Sequence, residues 1–143
     1  MSRFEAGCVH AANVATCLTG LIYAYLRYLA KPLDEFALMH PGVAPAQHAH
    51  VLAAPLLVFA IGLIWTSHVL PGLRAPGPLR RRSGIALVSL AGPMIVSGYL
   101  LQVANEPGAR ALAVATHLIA SALWLASAVA HQFVARRRRD LRA

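Results

Sequence analysis

The sequence predicts an all-α protein: an integral membrane four-helix bundle whose helices run up and down in turn. Of its 143 residues, 58% are hydrophobic and only 13% are charged, whereas soluble domains carry about 25% charged residues. The apolar residues also fall into four blocks, each long enough for the roughly 20 residues that a helix needs to cross a bilayer. Because these blocks and their connections use nearly the whole chain, we expect a single transmembrane domain over residues 1–143.

The connections between the blocks predict how the helices follow one another. The first block is longer than the apolar core of a signal peptide, so we expect it to be retained. Asp34–Met39, in the first connection, is expected to form one or two helical turns. The prolines of the second connection, Pro71–Ser83, predict a break in the helical structure. The third connection is so short that its two helices must be antiparallel neighbours. The predicted spans are Ala6–Leu29, His48–Leu70, Gly84–Ala104 and Ala111–Val134.

The net charge of +8 is unevenly distributed among the connections. Ten of the thirteen basic residues lie at the two termini or in the second connection, and three lie beside the first and third connections. This asymmetry places both termini on the cytoplasmic side, because basic residues are retained there. The Arg136–Arg139 run is expected to contact anionic lipid, and nucleic acid is not expected as a partner.

Two histidines on the last span are the most informative polar residues of the chain. His117 and His131 are fourteen residues apart, so on an α-helix they lie roughly 40° apart on one face. They are about 21 Å apart along the axis. Ionisable rings at membrane depth mark functional sites by default, and this spacing suits two cofactors, one near each membrane surface.

With the predicted topology, the seven histidines sort into two depths, and each depth holds one histidine of span four. Two bis-histidine b haems held between helices would require this arrangement. Zinc fits less well, because it prefers four ligands clustered at one point. Because the sequence contains no Cys-x-x-Cys-His motif, covalent c-type haem is excluded. The outer group is His40, His48, His50 and His117, and the inner group is His10, His68 and His131.

Within each group more than one partner for the span-four histidine is available. On the outer side His50 is preferred to His48, because it lies deeper in span two and the residues that directly follow it, 51–54, are all apolar. On the inner side His10 is preferred and His68 is the alternative. His68 lies 18 residues, or five turns, after His50 and hence on the same face. Their separation of about 27 Å, however, matches the 21 Å on span four poorly.

Cys8 and Cys17 both lie in the first span. Nine residues apart on a helix, they point to opposite faces and cannot pair with each other. We therefore expect them to be structural thiols.

Several short motifs lie in the spans or directly beside them. They are Arg3-Phe4 with His10, Ala49-His50-Val51, Ala91-Gly92-Pro93 with Gly98, and His117 with His131-Gln132-Phe133. Together they resemble the bacterial cytochrome b561 family of four-helix, di-haem membrane proteins. The resemblance implies that His117 and His131 each ligate one haem, paired with His50 on the outer side and His10 on the inner side. It also implies a place in the bacterial inner membrane.

The expected function is transmembrane electron transfer between the quinone pool and a periplasmic redox partner, such as a c-type cytochrome. The chain would be an electron-transfer subunit, and a quinol-linked oxidoreductase activity is left open. Its short loops favour a partner protein over a substrate pocket of its own. The alternative is a non-redox membrane protein, either a scaffold or assembly subunit or a metal carrier that uses the histidines.

Overall fold

The computed structural model describes residues 1–74 and 78–140, with side chains left undescribed at 78–81 and 134–140. The predicted all-α class is confirmed: the described residues form helices joined by turns and irregular segments. Parts of the second connection and of the C-terminal arginine run, including Arg142, lie outside the described residues. The helices are α1 (Arg3–Tyr28), α2 (Val43–Leu63), a π-helical segment (Trp65–Val69), α3 (Leu70–Arg74), α4 (Pro78–Val103) and α5 (Pro107–Asp140).

Four of these helices are long and apolar enough to cross a membrane, as the sequence predicts. Their span-like portions are Arg3–Tyr28, Val43–Leu63, Arg82–Val103 and Pro107–Phe133. The described chain divides into two compact units after His68, and each unit contains one pair of long helices packed together. That the two pairs make a single transmembrane domain stays a prediction.

In the first unit, α1 packs antiparallel to α2. The Thr16 hydroxyl donates to the main-chain oxygen of Ala53 at 3.1 Å, while the N-terminal ammonium of Met1 donates to the oxygen of Ser67 at 3.4 Å. Positions early in α1 thus contact positions late in the partner segment. A capping box begins α1: the hydroxyl of Ser2 accepts from the amide of Glu5 at 3.1 Å, and the carboxylate of Glu5 accepts in return from the amide of Ser2.

In the second unit, α4 and α5 are antiparallel, as their short connection predicts. The carboxylate of Glu106 caps α5, accepting from the amides of Gly108 at 2.8 Å and Ala109 at 2.5 Å. Such a cap pairs amides that the first helical turn leaves without partners. The guanidinium of Arg110 donates back to the main-chain oxygen of Leu101 at 3.1 Å. These bonds fix where α5 begins relative to the end of α4.

The second connection differs from its prediction. Residues that were expected to lie outside helices belong to α3 and to the first turns of α4. Prolines disrupt a helix only beyond its first turn, because the first-turn amides have no partner within the helix. Pro78 is the first residue of α4, so it is tolerated there.

The first connection also differs, because Asp34–Met39 contains no helical turn. Instead, the carboxylate of Asp34 accepts from the amide of Phe36 at 3.0 Å, and its main-chain oxygen accepts from the amide of Ala37 at 3.1 Å. An aspartate side chain that bonds the backbone two residues ahead competes with helix formation. The prediction of helical turns there was wrong for this reason.

Large apolar side chains are widely exposed on the long helices. Leu52 is 75% exposed, Phe59 70% and Leu112 70%, whereas Ala60 is fully buried and Leu57 is 3% exposed. A soluble monomer rarely exposes so many large apolar side chains, but a helix that faces hydrocarbon does. The burial pattern therefore fits the multi-pass membrane character given by the lengths of the helices.

Candidate functional site

His117, on α5, lies against α4. Its Nδ1 is 3.0 Å from the main-chain oxygen of Met94. Because a carbonyl oxygen only accepts, the hydrogen of this bond lies on Nδ1. In the neutral imidazole the lone pair is therefore on Nε2, the nitrogen through which such a ring would bind a metal.

The α4 surface that faces His117 adds a hydroxyl group and a glycine. The Ser97 oxygen is 3.3 Å from the same Nδ1, and its hydroxyl donates to the main-chain oxygen of Pro93 at 2.6 Å. A Cβ built on Gly98 would lie 3.1 Å from Cε1 of His117. The ring thus occupies space that any other residue at Gly98 would need.

His131, fourteen residues further along α5, repeats this arrangement. The Ser83 hydroxyl oxygen is 2.9 Å from Nδ1 of His131, and a Cβ built on Gly84 would lie 3.9 Å from Cε1 of the ring. The contact with Gly84 is an ordinary van der Waals distance, so the glycine leaves more space beside this ring than Gly98 leaves beside His117. A hydroxyl both donates and accepts, and the bond therefore orients the ring under either tautomer.

His50, on α2, has the same kind of environment in the other unit. The Thr19 oxygen on α1 is 3.3 Å from its Nδ1. The Thr19 hydroxyl donates to the main-chain oxygen of Ala15 at 2.7 Å, so this oxygen is oriented to accept from an Nδ1 hydrogen. A Cβ built on Gly20 would lie 2.9 Å from Cε1 of His50.

The three rings therefore share one recurring feature, a hydroxyl residue followed by glycine on the antiparallel neighbouring helix. We refer to these three pairs as the hydroxyl–glycine pairs: Thr19-Gly20 at His50, Ser83-Gly84 at His131 and Ser97-Gly98 at His117. Partners that bond the second ring nitrogen are typical of metal-binding histidines, because they fix its tautomer and orientation.

The sequence carried a signal for these pairs that was missed. The two serine–glycine pairs on α4 are fourteen residues apart, the same separation as His117 and His131 on the facing helix. On antiparallel helices, equal spacing brings each serine opposite one histidine. A search for repeated spacings between neighbouring spans would have found them.

The other predicted histidines have different surroundings. His48 and His10 are exposed, whereas His50 and His68 are half-buried. His68 lies in the π-helical segment, beside Ser67, whose hydroxyl donates to the carboxylate of Glu5 at 3.1 Å. π-helical turns inside helices occur frequently at functional sites.

The expectation that His68 lies on the same face as His50 requires one regular α-helix between them. That premise was wrong, because α2 ends at Leu63 and a π-helical segment follows. A π-helix is wound more widely than an α-helix, so counting turns of 3.6 residues does not place His68. The choice between His10 and His68 therefore stays a prediction.

His40 has the opposite hydrogen-bonding pattern. Its Nδ1 accepts from the amide of Gly42 at 3.0 Å, so in the neutral ring the proton is on Nε2. The ring is thus bonded into the turn that precedes α2. Its proton therefore lies on the other ring nitrogen from that of His117.

Within residues 1–74 and 78–140, no three or more His, Cys, Asp or Glu side chains form a group that could hold a metal ion. Cys8 and Cys17 are both free thiols, as their opposite directions on the helix predict.

The fold defines the class of protein: an all-α chain with four apolar helices of membrane-spanning length, as expected of a multi-pass membrane protein. Comparison of the chain with protein-family models, with curated proteins and with solved structures finds no match.

Proposed function

We propose that this chain carries electrons across a bacterial inner membrane through two b haems bound by histidine. The ligands are His117 and His131 on α5, His50 on α2, and His10 as the inner ligand in preference to His68. The pairing of these histidines across the two helix pairs is taken from the sequence. A bound haem supplies a reversible one-electron change of its iron, and the protein sets the potential at which this occurs.

The observation that supports this proposal best is the hydrogen bonding at Nδ1. The Met94 oxygen fixes the hydrogen of His117 on that nitrogen, and the acceptor-oriented Thr19 oxygen favours the same tautomer at His50. Axial haem ligands are neutral imidazoles that bond through one nitrogen and donate a hydrogen bond from the other. The donor set therefore fits haem.

The continuity of α5 also supports two separate haems. Because α5 is one helix from Pro107 to Asp140, its histidines keep the geometry expected from their spacing, about 21 Å apart along the axis. A separation this large cannot bring both rings to one metal ion. Each ring therefore belongs to a site of its own.

The remaining parts of the proposal concern direction and partners. The excess of basic residues at both termini and in the second connection orients the termini towards the cytoplasm. We propose the quinone pool as one redox partner and a periplasmic redox protein, such as a c-type cytochrome, as the other. Membrane lipid surrounds the exposed apolar faces of the helices.

The alternative functions make different demands on the histidines. A scaffold or assembly subunit would not need rings held by hydrogen bonds at Nδ1. A metal carrier would need exchangeable sites along its path, with the ligands of each site close together. The recurring hydroxyl–glycine pairs therefore favour the haem proposal over both.

The test is the haem content of protein purified from membranes. The pyridine haemochrome assay should give about two b haems per chain. The double variant His117→Ala/His131→Ala should lose both, while His40→Ala, whose ring is bonded into a turn, should keep both. Wild-type protein without haem, or a double variant with unchanged haem, would refute the proposal.

A further inference from the structure

The hydroxyl–glycine pairs recur at three histidines in two separate helix pairs. A single serine in a helix commonly bonds its own backbone, and a single glycine in a membrane helix commonly serves close packing. Neither of these two common roles explains why a hydroxyl residue and a glycine occur together at all three positions, each time beside an imidazole. The recurrence therefore indicates a shared role directed at the rings.

We infer that the hydroxyl–glycine pairs are positioning elements for the histidine ligands. The hydroxyl oxygen accepts the hydrogen of the imidazole on Nδ1, at His117 together with the Met94 oxygen. At Gly20 and Gly98 the glycine also leaves room for the ring to lie against the neighbouring backbone. This inference rests on the proposed haem ligation, and it assigns a role to five residues that do not themselves bind the metal.

The hydroxyl groups are arranged to accept. Each of two hydroxyls already donates its only hydrogen to a carbonyl of its own helix: Thr19 to Ala15 at 2.7 Å, and Ser97 to Pro93 at 2.6 Å. Their oxygens therefore face the rings as lone-pair acceptors. For Ser83, whose oxygen lies closest to its ring at 2.9 Å, we infer the same direction.

The glycines differ in how closely they meet the rings. The built Cβ lies 2.9 Å from the ring at Gly20, 3.1 Å at Gly98 and 3.9 Å at Gly84. An alanine would therefore displace the His50 ring, would move the His117 ring by a few tenths of an ångström and would leave the His131 ring in place. Gly84→Ala is therefore the control for Gly20→Ala and Gly98→Ala in a test of ring positioning.

An acceptor at Nδ1 makes the imidazole a stronger electron donor, because it gives the ring partial negative charge. A stronger donor stabilises the oxidised iron and lowers the potential. Removing the hydroxyl should raise the midpoint potential of the affected haem and weaken haem binding by about 10- to 100-fold. The orientation of the ring should also change, which alters the low-spin electron paramagnetic resonance (EPR) signal.

The experiment compares variants that keep or remove the hydroxyl at nearly constant shape. Thr19→Val and Ser83→Ala remove it, while Thr19→Ser and Ser83→Thr retain it. Haem content, redox titration and EPR spectra are measured on the full-length protein in detergent. We expect the first two variants to shift one haem each and the second two to behave like wild type.

Three outcomes overturn the inference, and they differ in what else they remove. Wild-type protein without haem would overturn both this inference and the proposed function. Wild-type haem content with Thr19→Val and Ser83→Ala both unchanged in potential and EPR spectrum would overturn the inference alone. The inference alone would also be overturned if Thr19→Ser and Ser83→Thr, which keep the hydroxyl, shifted the potential and the EPR spectrum as much as Thr19→Val and Ser83→Ala do. If Ser83→Ala does not fold, the potential and EPR spectrum of Thr19→Val, in the other helix pair, decide the test.

Discussion

The Nδ1 atom of His117 lies 3.0 Å from the main-chain oxygen of Met94 on the facing helix. This bond joins a side chain of α5 to the backbone of α4, so no side-chain substitution on α4 removes the acceptor itself. It specifies which nitrogen of the ring carries the hydrogen. The chemistry available to His117 is therefore set by the way the two helices pack.

The outer ligand on α2 can be identified by comparing two neighbouring histidines. His50→Ala should lose the low-spin signal of one haem, because His50 lies against Thr19 and Gly20 and is oriented by them. His48→Ala should keep both signals, because His48 lies about 200° from His50 around the helix and only one of the two can face the partner helices. EPR spectra and the haemochrome assay measure both variants. Loss of the signal in His48→Ala alone would make His48 the ligand.

The inner ligand is tested in the same way. His10→Ala should reduce the haem content from about two to about one per chain, while His68→Ala should leave it unchanged. The prediction follows from the sequence preference for His10. The reverse result would assign the ligand to His68, in the π-helical segment.

Alanine at Gly20 should destabilise the protein. Its Cβ would lie 2.9 Å from the His50 ring, and such overpacking typically costs about 1–3 kcal/mol. Gly7, on the same helix, has no atom within 4 Å of a built Cβ, so Gly7→Ala is the matched control and gains about 1 kcal/mol of helix propensity at most. Unfolding in detergent with a denaturant should rank Gly7→Ala above Gly20→Ala. Equal stability would contradict the close contact between Gly20 and His50.

The start of α5 should depend on pH. Hydrogen bonds from the amides of Gly108 and Ala109 lower the pKa of the Glu106 carboxyl in the folded chain. A lowered pKa means that the cap stabilises the helix above the ordinary carboxyl pKa and is lost as the pH falls through the folded pKa. The Ala109 amide should therefore exchange faster, relative to its intrinsic rate, as the pH is lowered below the ordinary glutamate pKa of 4.5. Glu106→Gln keeps an acceptor without the titration, and in this variant the extra acid dependence should disappear.

The orientation of the chain is tested by labelling single cysteines in a Cys8→Ser/Cys17→Ser background. Glu35→Cys, in the first connection, should react with a membrane-impermeant maleimide from the periplasmic side. Arg74→Cys, in the second connection, should react only after the membrane is opened, because basic connections stay in the cytoplasm. The reverse labelling pattern would invert the topology.

The sequence predicts the helical class and the four spans because both depend on composition and on the length of apolar blocks. The boundaries are less well predicted. Prolines such as Pro78 can begin a helix as well as break one, and composition alone does not distinguish the two cases. The π-helical segment at His68 leaves no mark in apolar periodicity.

The candidate site is predicted only in part, for a related reason. His117 and His131 stand out because ionisable rings are rare in an apolar span. Ser83, Ser97 and Thr19 do not, because hydroxyl residues are common in membrane helices and bond their own backbone. The repeated fourteen-residue spacing marks Ser83 and Ser97 in the sequence, but the place of Thr19 beside His50 becomes visible only when the register between α1 and α2 is known.

The hydroxyl group described beside each ring belongs to the same helix pair as the ring itself. Thr19 and His50 sit in one pair, and Ser97 and His117 in the other. In the proposed function, each helix pair therefore orients its own imidazoles without help from the other pair. Binding of the proposed haems would then require little reorganisation of the rings.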